Sequence, residues 1–104
     1  MILPDLLSAS AQSIIDYYGL PKQLNQLMEE CGELIAASNH YIRKCETGDK
    51  AMIHQAKANL ENEIIDVIVI LDQILERIGT KEEAMRFLAN YKIDRQLQRI
   101  KRNE

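Results

Sequence analysis

A chain of 104 residues suits one domain and fits two poorly. Apolar residues make up 46% and charged residues 28%, as in ordinary globular proteins, while four Gly and two Pro are too few for the turns of an all-β fold. A formal charge of −3 supplies no overall attraction to nucleic acid or to an anionic membrane, and with Trp absent the core must rest on aliphatic side chains.

The opening MILPDLLSASAQS has no basic start and only a short apolar stretch before Asp5. It reads neither as a signal peptide nor as a membrane anchor. Pro4 suits the first turn of a helix over about residues 4–18, with Leu6, Leu7, Ala11, Ile14 and Ile15 along one stripe. Gly19 ends that helix and Pro21 can begin the next. The second runs from Lys22 to about Cys45, with Leu24, Leu27, Met28, Cys31, Leu34 and Ile35 on one face, before Gly48 breaks the pattern. From Asp49 to Ile78 there is no Gly or Pro. The β-branched run at 64–70 resembles a strand by itself. Its flanks, HQAKANLENE and DQILERI, are good helix formers, so one long helix is expected, apolar on nearly every side and buried on most of them. Thr80 with Glu83 three residues on has capping-box spacing for a last helix. Ala84, Phe87, Leu88, Tyr91, Leu97 and Ile100 then keep helical register up to a basic tail. The expected architecture is a single all-α domain over 1–104, a bundle of four or five helices. Cys31 and Cys45, about 21 Å apart if both lie on one helix, are too distant for a disulfide and read as two reduced thiols of a cytoplasmic protein.

Asp66 interrupts the most apolar run of the chain, and a carboxylate there needs a partner. At 100° per residue, Glu29, Glu30 and Glu33 spread over about 100° of the second helix. Gln26 and His40 fall close to the line of Glu33, and Ala36 and Ala37 leave space between. On the third helix Asn59, Glu63 and Asp66 share an arc of about 60°, with Glu61, Asp72 and His54 turned elsewhere. Each helix therefore offers two carboxylates at i, i+3 spacing, Glu30 with Glu33 and Glu63 with Asp66. Facing each other, these four charges would need cations between them. Hard divalent ions with oxygen ligands fit best, Mg²⁺ first and Mn²⁺ next. The competing readings are a solvated acidic face for EExxE and a buried salt bridge for Asp66. A di-iron centre would want Glu-x-x-His pairs, and here the i+3 positions are Glu33 and Asp66.

EExxE at Glu29, Glu30 and Glu33, followed by ExxD at Glu63 and Asp66, resembles the signature of MazG-like nucleotide pyrophosphohydrolases, members of the all-α NTP pyrophosphatase superfamily. QLMEECGELIAA and ENEIIDVIVILDQI look like that family's two metal-binding helices, and ANYKIDRQLQRI is similar to a family substrate-binding segment. The likeness spans about residues 22–100. It departs from the family in a long gap between Glu33 and Glu63, with room for an extra turn or loop around 45–52, and in lacking an N-terminal Trp used by some relatives near the base.

The resemblance implies Mg²⁺-dependent hydrolysis of a (deoxy)nucleoside triphosphate to monophosphate and pyrophosphate, with clearing of the nucleotide pool as a role it suggests. Glu30, Glu33, Glu63 and Asp66 would hold metal, and Glu29 would orient water or act as base. Asn90, Lys92 and Arg95 would hold phosphate or sugar, Arg95 by a bidentate grip. The other reading of that basic stretch, and the preferred one for Arg99, Lys101 and Arg102, is a solvated tail. Without an aromatic platform it argues poorly for nucleic acid. A homodimer or homotetramer is expected, since the long apolar helix needs cover from a second copy. The alternative function is a non-catalytic nucleotide- or metal-binding helical dimer on the same scaffold.

Overall fold

The computed structural model describes residues 11–103. Its elements are α1 (Ala11–Tyr18), α2 (Leu20–Thr47), α3 (Lys50–Arg77) and α4 (Glu82–Arg102), and no strand occurs among the described residues. The expected start of the first helix, with Pro4, Leu6 and Leu7, lies outside them. The run at 64–70 is helical, as its flanks require.

The breaks fall at glycines that adopt positive φ. Gly19 (φ 86°) separates α1 from α2, whose first turn holds Pro21, and Gly48 (φ 70°) closes α2 with its N–H donating to the Cys45 carbonyl. Asp49 immediately caps α3, its Oδ1 accepting from the Ala51 and Met52 amides at 3.0 and 3.1 Å. Thr47 reinforces the corner, its Oγ1 accepting from the Asp49 amide. There is thus no added loop around 45–52. The long spacing between the acidic motifs is taken up by extending two 28-residue helices to a two-residue connection, which makes them an antiparallel hairpin.

α1 packs onto this hairpin through Ile15, which is fully buried against Ile70 and Ile74, with Leu20 and Leu27 beside them. The same layer holds a polar pair, in which the Gln23 side-chain amide donates to Gln73 Oε1 at 2.8 Å, both residues being buried. Asp16 and Arg77 tie α1 to the end of α3 by an ion pair at the surface.

Two expectations are corrected here, the cap at Thr80 and the enclosure of α3 within one chain. Thr80 does not cap α4; the N-cap is Lys81, without a side-chain cap bond, and Glu82 and Glu83 instead face the positive end of the helix dipole. The apolar face of α2 is largely open, with Met28 and Ile35 each 64% exposed. The apolar run of α3 is not enclosed either, Ile64 and Ile65 both being exposed. α4 buries no residue, and Phe87, Tyr91 and Leu97 present their apolar surface outward. The open apolar faces have one physical reason: three helices of one chain cannot surround a helix that is apolar all round.

Candidate metal centre

Glu33 and Glu63 stand almost equally far from the Gly48–Asp49 corner, so the hairpin brings their turns level. One side-chain oxygen from each of Glu30, Glu33, Glu63 and Asp66 then lies within 4.8 Å of the others. Opposite ligands of an octahedral Mg²⁺ are about 4.2 Å apart, so the cluster is open by a few tenths of an ångström.

Acidic groups on a surface often gather without binding anything. Two orphaned atoms distinguish this group: Glu30 Oε2 and Glu63 Oε2 are buried and have no hydrogen-bond partner. A buried carboxylate oxygen left bare is costly, and a cation, a water or a proton shared with a neighbouring carboxyl satisfies it. The other oxygen of Glu30 accepts from Gln26 Nε2 at 2.8 Å, a bond one helical turn long that turns Oε2 inward. Glu30 and Glu63, by their charge, raise the Glu33 carboxyl above its usual 4.5, and hydrogen bonding to them adds to the effect. Asp66 is half-buried, and no described lysine or arginine pairs with it, the ion pairs being Asp16–Arg77 and Glu82–Arg86. The salt-bridge reading of Asp66 therefore has no support. The donor set is all oxygen, which fits Mg²⁺ or Mn²⁺ and offers nothing soft.

Glu29 is exposed and is not among the four converging side chains. Of Asn90, Lys92 and Arg95 only the last two are brought together, and none of the three lies with the carboxylates. Asn90 lines a shallow cleft with Arg86, Ala89 and Ile93, while Lys92 and Arg95 line another with Gln96 and Arg99, both on α4 alone. Arg95 also lies over the Tyr91 ring, 5.9 Å from its centre.

What the helical wheel does not display is the space beside the cluster. A groove of about 450 Å³ between α2 and α3 includes Glu33, Glu63, Ala36, Ala37, Arg43 and Asn59, and also His40. A second, of about 410 Å³, continues from His40 and Asn59 to Lys44, Met52 and Gln55. Gln26, Arg43, Lys44 and Gln55 had no assigned role from sequence. The i, i+4 spacing of Gln26 to Glu30 and the distance of Arg43, Lys44 and Gln55 from the hairpin corner were the available signals. No described helix is long and apolar enough to cross a membrane. Compared with family models, curated proteins and solved structures, the chain matches none.

Proposed function

We propose that the protein is a MazG-like nucleoside triphosphate pyrophosphohydrolase, with its metal centre at Glu30, Glu33, Glu63 and Asp66. The observation that carries this reading is the convergence of four carboxylates around two buried, unpartnered oxygens. When bound there, Mg²⁺ supplies charge neutralisation for the phosphates and acidity for a water. Glu29, exposed and next in sequence to Glu30, would take the proton of that water. Gln26 holds Glu30 in its inward orientation.

Asn90, Lys92 and Arg95 are the proposed contacts to phosphate or sugar. Since α4 stands apart from the centre of its own chain, they would serve the centre of a second copy. Surface area supports such an assembly. The chain exposes 8040 Å², whereas a folded monomer of 12.0 kDa exposes about 6,000 Å². The excess, roughly 2,000 Å², is on the scale of an obligate homodimer interface. The exposed apolar side chains of α2, α3 and α4 are the surface such an interface would cover.

A panel of ribo- and deoxyribonucleoside triphosphates with Mg²⁺, scored separately for pyrophosphate and orthophosphate, tests the function. Pyrophosphate release that vanishes in Glu33→Gln and Asp66→Asn, with helical content kept, is the expected result. Wild-type rates in both variants would show that the site is wrongly assigned. Thermal stabilisation by nucleotide and Mg²⁺ without turnover would leave the binding-module alternative.

A further inference from the structure

Hydrolysis at the α-phosphorus sends the electron pair of the broken α–β bond onto pyrophosphate, and that product must leave from somewhere. The carboxylates are its worst neighbours unless cations stand close by. Within one chain the cations of α4 are not at the centre, whereas the groove beside the carboxylates has its own.

Glu33, Ala37, His40 and Lys44 follow one another at helical spacing along α2, with Ala36 and Arg43 one row over. The alanines, with Ala56 from α3, keep the floor low, and the two grooves join at His40 and Asn59 into one trough. One end is strongly acidic and the other basic. At 1.5 Å per residue the His40 Cα lies about 10 Å beyond that of Glu33, and those of Arg43 and Lys44 about 15 and 16 Å beyond. Helical side chains lean toward the N-terminus, which draws both long cationic side chains back toward the carboxylates by about a turn. Neither Arg43 nor Lys44 has an ion-pair partner among the described residues, although Lys44 is half-buried. An unpaired cation on a groove wall is suited to an anion that arrives from outside.

We propose that His40, Arg43 and Lys44 form the pyrophosphate end of the substrate site, holding the β- and γ-phosphates of a triphosphate whose α-phosphate lies at the carboxylates. This rests on the pyrophosphohydrolase reading and extends it. Water oxygen bonds to the α-phosphorus and its proton passes to the base. The bond from that phosphorus to the α,β-bridging oxygen breaks with its electron pair on pyrophosphate, and the two cations and the imidazole N–H stabilise the charge that develops there. Arg43 suits a bidentate grip on one phosphate and Lys44 acts as a point charge on the other. They are substrate-holding residues that act on the leaving group.

The test uses inorganic pyrophosphate with Mg²⁺, titrated calorimetrically into the full chain and into Lys44→Met, Arg43→Gln and their double variant. Lys101→Met controls for net charge. Affinity should drop about tenfold in each single variant and further in the double, with the control at wild-type affinity and the Mg²⁺-induced rise in Tm kept throughout. The charge-keeping variants Lys44→Arg and Arg43→Lys should recover part of it, Arg43→Lys the less because it loses the bidentate grip, and they also decide the matter if the neutral variants fold poorly. Equal pyrophosphate affinity in wild type and variants, with Mg²⁺ binding intact, overturns the proposal. So does a change in base preference with pyrophosphate affinity unchanged, which would assign the trough to the nucleoside. Because the titration needs no turnover, an inactive wild type that still binds pyrophosphate through Arg43 and Lys44 would refute the catalytic reading and leave the subsite standing.

Discussion

Replacing Glu63 with Gln keeps the size of the side chain and removes one of four charges crowded within 4.8 Å. Two carboxylates at that separation repel by about 3 kcal/mol at an effective dielectric of 20. Glu30 and Glu63 are both half-buried, so water screens only part of this, and relief of about 1–2 kcal/mol is expected for the metal-free protein. For a domain of this size that amounts to a rise in Tm of about 4–10 °C. The effect of Mg²⁺ runs the other way. At a hundred times its Kd, Mg²⁺ adds about 2.7 kcal/mol to the wild type, and the variant, short of one ligand, should lose most of that gain. Thermal melts followed by circular dichroism, with a chelator and then with millimolar Mg²⁺, would therefore cross: the variant is the more stable protein without metal and the less stable one with it. A Glu63→Gln protein that is destabilised without metal and responds to Mg²⁺ like wild type would refute the reasoning, because it would mean that the four carboxylates are solvated apart from one another.

The raised Glu33 carboxyl gives a pH dependence with a definite sign. The folded protein holds that proton more tightly than the unfolded chain, so the contribution is fully present below the ordinary value of 4.5 and is lost as pH rises through the higher folded value. Metal-free wild type should lose stability across that window while Glu33→Gln stays flatter, as melts in a buffer series would show; parallel curves would contradict it. Gln26→Leu should weaken Mg²⁺ binding about tenfold by freeing Glu30 to rotate, read from the Mg²⁺ dependence of Tm, and an unchanged midpoint would mean that the 2.8 Å bond positions nothing. Gln73→Leu leaves the Gln23 amide buried and unpaired and should cost about 1–3 kcal/mol in urea unfolding, whereas adding Gln23→Leu should restore most of it; additive losses would dissolve the pair.

Much of the candidate centre was legible along the chain, because angular position on a helix follows from residue spacing alone. The i, i+3 pairs at Glu30 and Glu33 and at Glu63 and Asp66 had to share a face whatever the fold. Local chemistry also located the ends of α2 and α3, where Gly48 accepts a positive φ and Asp49 accepts two amide bonds. Local signals failed where a nearby alternative competed: Thr80 has the spacing of a cap, yet the helix begins after Lys81.

Spacing says where a side chain points and not what stands opposite. That the two acidic faces meet was decided by the two-residue corner, which makes Glu33 and Glu63 level, and by packing of Ile15 against Ile70 and Ile74. The same register placed Arg43 and Lys44 on the wall of the acidic groove and buried Gln23 against Gln73, neither of which any single helix could reveal. Only the tertiary arrangement separated α4 from the carboxylates, with Phe87, Tyr91 and Leu97 left facing outward. The chain by itself determined helices and the faces that carry charge, since those depend on neighbours a turn away. The tertiary structure decided which charges meet, since that depends on contacts between residues tens of positions apart.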